Sequence, residues 1–435
     1  MSTTAMVNLW GTTIGAVSLE DGATTATFQY NQTFLKSGIQ ISPLMMPLSE
    51  NLYSFPALRL ETFHGLPGLL ADSLPDRFGN MLINAWLARS GRTPESFNAV
   101  ERLCYTGSRG MGALEYEPAI EFSVSEASRI EVDKLVELAS EVLTYRNNLR
   151  GWLHKEGKEE ALRNILQVGT SAGGARAKAV IAWNPQTNEV RSGQTKTGSG
   201  FEYWLIKFDG VSGNKDKELE DPQGYGAIEY AYYRMAKDAG ITMMPSRLFE
   251  ENGRRHFMTK RFDRLEGGDK LHMQSLCGMA HFDFNQAGAY SYEQALQIIR
   301  LLGMPMASLE EQFRRMVFNI VARNQDDHVK NIAFLMDRAG NWSLSPAYDV
   351  TYSYQPSGKW TSSHQMTING KQDGFTLDDF RACAKNASMK RGRAEEIVKD
   401  ITNIVSRWRD FADESHVNPV QRDKIQTALR LDFLK

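Results

Sequence analysis

Hydrophobic and polar positions recur along this chain in three successive styles, and each predicts a different kind of structure. Residues 8–18, apolar and polar by turns and punctuated by Gly11 and Gly15, predict a hairpin opening a small sheet. Residues 68–80 carry Asp72, Pro75, Asp76 and Arg77 and run into an amphipathic stretch at 81–89. A glycine-rich segment, 107–112, precedes a predicted strand at 113–116. Residues 117–126 read as a boundary, because helical periodicity resumes at Ile130 and continues past Leu162.

From about residue 165 to 264 the pattern is that of strands. Residues 178–183 end at the turn pair Asn184-Pro185, and 201–208 alternate as a strand does. A helix is predicted over 227–239, stopped by Gly240. Residues 246–250 and 255–260 flank Asn252-Gly253, a pair suited to a tight hairpin. After about residue 271 the periodicity is mainly helical. The clearest helix is expected to start at Ser308, with Glu311 completing a capping box and Phe313, Met316, Val317, Ile320 and Val321 on its buried face. Residues 390–435 are charged and helical, with no chemistry in them. The sum is an α+β chain, divided at 1–122, 130–265 and 266–435.

Composition narrows the function classes. The 435 residues, 42% hydrophobic, suffice for two or three domains with sizeable cores. The 50 Lys and Arg nearly cancel the 52 Asp and Glu, so no global field draws the chain onto nucleic acid or an anionic membrane. Cys104, Cys277 and Cys383 are odd in number and far apart, which suggests neither a disulfide framework nor a zinc site. The first basic residue is Lys36 and no apolar run is long enough to span a membrane, so a cytoplasmic protein without membrane contact is expected.

The predicted helix 308–321 delivers the chain to Asn324-Gln325-Asp326-Asp327-His328-Val329-Lys330-Asn331. Asp326 stands five residues before Asn331, the spacing at which protein kinases place a catalytic Asp and a metal-binding Asn; Asp327 does not. Residues 331–336 and 342–345 predict a hairpin that returns the chain to Asp349 near Asn331, where a carboxylate and an amide suit magnesium. Asp326 would then accept the proton of a substrate hydroxyl. Loops favour Asp, Asn and His for turn-forming reasons alone. That accounts for each residue singly but not for the offset, the following strand and the second Asp together. His328 either braces the loop or touches substrate, and Lys330 is either a solvated charge or a phosphate contact.

A second cluster is the glycine-rich run 169–178, with Ser171, Gly173, Gly174, Ala175, Arg176 and Lys178. Small residues let backbone amides approach phosphate oxygens, and Arg176 or Lys178 adds charge, although a flexible turn has the same composition. No Gly-Lys-Ser/Thr follows, so this is not a Walker A loop. Lys207 shares strand parity with Phe201, Tyr203 and Leu205, which points it toward the packed face of its sheet or a cleft. Its anionic partner would be a nucleotide phosphate or a helix carboxylate such as Glu229; the alternative is a strand-end lysine reaching water.

Together, Gly-Gly-Ala-Arg-x-Lys, the strand lysine, Lys260-Arg261-Phe262-Asp263-Arg264, Asn-x-Asp-Asp-His-x-Lys-Asn and Pro-x-Tyr-Asp resemble the HipA family of bacterial serine/threonine kinases, the toxins of toxin–antitoxin pairs. Leu74-Pro75-Asp76 and the 107–112 segment resemble its N-terminal domain, so the likeness spans nearly the whole chain. The resemblance implies a two-lobed protein-kinase-like fold with an N-terminal β-rich subdomain and a mainly helical C-terminal lobe. It implies ATP and Mg2+ as cofactors, Asp326 as catalytic residue, Asn331 and Asp349 as metal ligands and Lys207 as the ATP lysine. Lys260, Arg261 and Phe262 fall in the hinge that would hold adenine, and Ser171 falls where the family can carry an autophosphorylated serine. Phosphate there would compete with nucleotide phosphates and switch the enzyme off. The partners implied are a helix-turn-helix antitoxin (HipB-like), a protein substrate such as an aminoacyl-tRNA synthetase, and DNA only through the antitoxin. Two departures stand out: Lys260 where relatives can have an acidic residue, and Arg176 where they can have Gln. A small-molecule kinase and a non-catalytic ATP-binding co-repressor are the alternatives.

Overall fold

The computed structural model describes residues 2–120, 130–144, 166, 176–194, 197–211, 224–265 and 268–433. They form two compact units, one of residues 1–226 and 246–273, the other of residues 227–245 and 274–435.

The first unit holds two antiparallel sheets. Alternation in the first twenty residues buries Ala5, Val7, Leu9, Ile14 and Val17, so β1 (Ser2–Leu9) and β2 (Thr12–Glu20) pair as the expected hairpin. Its turn takes Trp10 and Gly11 into the left-handed region, at φ 51° and 78°. With β3 (Thr27–Tyr30) and β4 (Leu114–Glu117) the order is β3-β2-β1-β4. Gly15 is needed where β2 meets β3, since a Cβ there would lie 2.3 Å from the Gln29 carbonyl oxygen.

The second sheet, in the order β6-β5-β7-β9-β8, comprises β5 (Lys178–Trp183), β6 (Val190–Ser192), β7 (Glu202–Lys207), β8 (Ser246–Glu251) and β9 (Arg254–Lys260). Asn252 and Gly253 turn β8 into β9 with φ of 47° and 77°, the double left-handed geometry that favours this pair. One face of the sheet, through Ile181, Trp183, Trp204, Ile206 and Met258, shares a core with Phe78, Leu82, Tyr105, Leu135 and Val136. The helices Arg77–Arg89, Ala99–Thr106 and Val132–Thr144 therefore cover that face. The two former helices are capped by Asp76, which accepts from the Gly79 amide at 2.7 Å, and by an Asn98–Glu101 capping box. The packed parity of β7 is thus Trp204 and Ile206. Lys207 lies with Tyr203 and Leu205 on the other face, because the larger Trp204 ring takes the core side.

The second unit is mainly helical. Its central helix, Met306–Val321, starts two residues before the expected Ser308, and Pro305 at its N-cap presets the entry. Glu311 makes no capping box: its carboxylate accepts from the Thr242 amide at 3.0 Å and pairs with Arg315 at 2.8 Å. Phe313, Met316, Val317, Ile320 and Val321 are fully buried, against the helices Tyr292–Leu301 and Arg393–Val405. The expected hairpin is present as Ala333–Met336 and Trp342–Leu344, with Phe334 opposite Leu344. The helices Trp408–Glu414 and Pro419–Ala428 complete the tail. All three cysteines are free and buried. Among the described residues no helix is long and apolar enough to cross a membrane.

Two histidines of the first unit are expected to make its stability pH-dependent. His256 and His272 are fully buried, and burial, aided at His256 by the charge of Arg254, pushes each down to about 4. His256 Nδ1 accepts from the Asp209 amide at 2.9 Å, which requires the unprotonated nitrogen. Because the folded values lie below the ordinary 6.5, the contribution is complete above pH 6.5 and is lost as the pH falls toward 4. Urea titrations should show stability falling across that window, by on the order of 3 kcal/mol per histidine. A flat profile would show that the two rings are hydrated in the fold.

Candidate active site

The helix Met306–Val321 ends at Ala322, and Arg323 takes a left-handed φ of 58° to turn the chain into the Asn324–Asn331 run. The two adjacent carboxylates then part company. Asp327 is 3% exposed and accepts from Tyr292 Oη at 2.7 Å and the Gln365 amide at 2.8 Å, while His364 Nδ1 lies 2.8 Å from its Oδ2. Burial alone would raise the Asp327 carboxyl, but His364 beside it and these donors hold it below the usual carboxylate range. It is an anchor sealed from solvent. The Asp326 side chain is 43% exposed, and its Oδ1 accepts from Trp360 Nε1 at 2.6 Å with His328 Nε2 at 3.8 Å.

Asn331 closes a short 3-10 turn, Val329–Asn331, instead of opening the strand, which begins at Ala333. Its Nδ2 donates to the Asp326 carbonyl at 2.7 Å, so the amide is fixed with Oδ1 turned away from that bond. The hairpin brings the next strand end back to this turn, where Tyr348 Oη donates to the Lys330 carbonyl at 2.7 Å. Asn324 Nδ2 spans from Asn319 Oδ1, at 2.9 Å, to the Asp349 carbonyl, at 3.5 Å. Asp349 sits in the left-handed region at φ 52°, a conformation uncommon for non-glycine residues and one that Asp adopts more readily than most. An oriented amide oxygen and a carboxylate are a hard-oxygen pair of the kind magnesium takes from protein when waters and phosphates complete its shell. No group of three or more His, Cys, Asp or Glu suited to a metal occurs among the described residues.

His328 and Lys330 flank this centre beside aromatic rings. The His328 ring lies 5.6 Å from Phe284 and 6.4 Å from Trp360, and Lys330 Nζ lies 4.9 Å from the Phe284 ring. Trp360, His364 and Tyr292 have no local signal in the sequence that ties them to the site. They come from segments some thirty residues away on either side.

The first unit holds the remaining candidates. Ser171, Gly173, Gly174 and Ala175 lie outside the described residues. Arg176 sets its guanidinium 3.9 Å from the Tyr225 ring. Lys178, which with Arg176 is one of two candidates to add charge for a phosphate, forms an ion pair with Asp76 at 2.8 Å, both side chains 5% exposed. Asp76 thus caps a helix with one oxygen and neutralises Lys178 with the other. This matters because Lys178 and Lys207 stand directly opposite in the β5–β7 register, where two like charges repel. Lys207 is 9% exposed, with its ammonium 5.9 Å from the Phe257 ring. Glu229 is buried.

Residues 260–264 also divide. Lys260 pairs with Glu202 at 2.9 Å. The Arg261 side chain, expected near adenine, is 1% exposed and donates from Nε and Nη2 to the two carboxylate oxygens of Asp263, at 2.9 and 2.7 Å. Arg264 meets the same carboxylate at 2.7 Å and the Gly110 carbonyl at 3.0 Å, and Asp263 accepts from the Gly112 amide at 2.7 Å. Arg261 and Arg264 thereby tie residues 261–264 to the glycine-rich 107–112 segment; burial would raise the Asp263 carboxyl, but the two guanidiniums hold it far below the usual range. Phe262 remains half-buried between these residues.

Comparison with known proteins places this architecture. The family described as "HipA-like C-terminal domain" matches residues 170–408, and "HipA N-terminal domain" matches residues 5–117. A Haemophilus influenzae protein named "Putative kinase" is 27% identical over 134 residues, and "Putative kinase Y4mE" of Sinorhizobium fredii is 24% identical over 203 residues. These matches cover 28% and 42% of this chain and only 39% and 47% of the relatives' own lengths. The fold matches Shewanella oneidensis HipA, solved with HipB and its operator DNA, at a TM-score of 0.65 and 15% identity, over 98% of this chain and 94% of that one. The fold is α+β of the HipA type. The chain belongs to the HipA family.

Proposed function

We propose that this protein is an ATP- and magnesium-dependent serine/threonine protein kinase and the toxin of a toxin–antitoxin pair. The observation that carries the reading is the Asn331 amide held on the Asp326 carbonyl beside an exposed Asp326 carboxylate, the kinase five-residue spacing turned into geometry. Asn331 through Oδ1 and Asp349 through its carboxylate would hold the metal, whose contribution is to neutralise charge on the triphosphate. Asp326 orients the acceptor hydroxyl and takes its proton as that oxygen attacks the γ-phosphorus, while the bond from the γ-phosphorus to its bridging oxygen breaks and ADP leaves. Lys207 and the backbone of residues 171–175 are assigned to nucleotide phosphates, Phe262 to the adenine, and Ser171 to inhibitory autophosphorylation.

A helix-turn-helix antitoxin is assigned as partner, supported by the HipB found with the Shewanella protein. DNA is assigned only through that partner, and a translation component such as an aminoacyl-tRNA synthetase is the assigned class of target. Incubation of the purified protein with a cell lysate and γ-labelled ATP, with and without magnesium, should give labelled phosphopeptides only with the metal. Label confined to small molecules would replace the protein-kinase reading, and ATP binding without any transfer would replace the enzyme with a co-repressor.

A further inference from the structure

From the residues around Asp326 we infer that Trp360 is a positioning residue for phosphoryl transfer, its indole N–H holding one oxygen of the base so that the other faces the acceptor hydroxyl. The inference rests on the reading of Asp326 as that base. A carboxylate that is 43% exposed, on a χ2 torsion with a broad two-fold profile, would ordinarily turn freely in water. Here Oδ1 accepts from Trp360 Nε1 at 2.6 Å. Indole is a donor only, so it cannot compete for a proton or accept one from substrate. With Oδ1 engaged, Oδ2 is left to accept from a hydroxyl.

What makes this a fixture is the anchoring of the Trp360 segment. Four and five residues on, His364 and Gln365 are bound to Asp327, the neighbour of the base: His364 Nδ1 at 2.8 Å from Oδ2 and the Gln365 amide at 2.8 Å from Oδ1. The His364 and Asp327 side chains are 0% and 1% exposed. Tyr292 adds a bond to Asp327 at 2.7 Å, and Arg430 backs His364 Nε2 at 3.3 Å. The Gln365 side chain closes the loop by donating to the Trp360 carbonyl. Two adjacent carboxylates thus take opposite roles, Asp327 anchoring the segment that orients Asp326. A gate that opens to admit substrate would not be fastened to a buried carboxylate one residue from the base.

The test is Trp360→Phe, which keeps the ring and deletes the N–H, assayed by ADP release with magnesium and casein as acceptor. The expected result is a kcat lower by roughly tenfold, the order set by one charge-assisted hydrogen bond, with the KM for ATP within about twofold of wild type. Equal kcat, or a rise in kcat, would overturn the role of Trp360 while leaving the kinase reading standing. No turnover by wild type, on casein or on the proteins of a cell lysate, would overturn both. A variant that fails to fold leaves a second measurement on the folded wild type: the indole N–H proton resonance of Trp360, identified by its position near the carboxylate and its exchange protection, should move on Asp326→Ala. An unmoved indole spectrum would also overturn the contact.

Discussion

Replacing Asp326 by alanine is expected to lower phosphoryl transfer by about 10²–10⁴-fold, the range over which a positioned general base acts. The fold should be untouched. The side chain is 43% exposed and its hydrogen bond is to Trp360, whereas the Asn331 bond is to the Asp326 backbone carbonyl and survives the substitution. Unfolding curves of the variant and the wild type should therefore superimpose within the small changes typical of surface sites. Asp327→Ala provides the contrast. It empties a buried position that holds Tyr292, His364 and the Gln365 amide, so it should lower stability together with activity. Equal transfer by wild type and Asp326→Ala, with added ATP and magnesium, would remove Asp326 from the reaction.

The largest loss of stability is expected at Asp263. Alanine there leaves the guanidiniums of Arg261 and Arg264, whose side chains are 1% and 7% exposed, without their carboxylate, and leaves the Gly112 amide without its acceptor. Removing one partner of a buried ionic group costs about 3–5 kcal/mol. The shift of the urea midpoint measures it. Converting the group to an apolar set, Arg261→Met with Asp263→Leu and Arg264→Met, should recover much of the loss, because the penalty lies in the stranded charges. A single Asp263→Ala variant as stable as wild type would mean that water reaches the two arginines. An assay of nucleotide affinity in a folded Arg261→Met variant addresses the hinge. Since the Arg261 side chain is committed to Asp263, ATP affinity should change little apart from the effect on stability.

Much of this chain was legible because its signals are local. The β1–β2 hairpin follows from alternation interrupted at Gly11, and the β8–β9 turn from Asn252-Gly253, whose left-handed conformations few other pairs accept. The buried face of the helix Met306–Val321 follows from apolar spacing alone. Its start did not, because Ser308 and Glu311 satisfy the capping pattern while Pro305 begins the helix and a backbone amide at Thr242 claims the Glu311 carboxylate. That competing donor lies 69 residues away, beyond any window over which periodicity speaks.

By itself, then, the sequence determined the hairpins at Gly11 and at Asn252-Gly253, the hairpin after Asn331 and the five-residue offset from Asp326 to Asn331, since each depends on residues within a few turns of chain. Only the tertiary structure decided how chemically similar side chains divide their work. Of two adjacent aspartates, one is sealed on His364 and Tyr292 and the other meets solvent and Trp360. Of two facing lysines, Lys178 is neutralised by Asp76, and of the hinge residues, Arg261 is turned inward to Asp263. The physical reason is that a charge settles with whichever partner makes up its desolvation cost, and that partner is chosen by proximity in space, here across intervals of up to about a hundred residues.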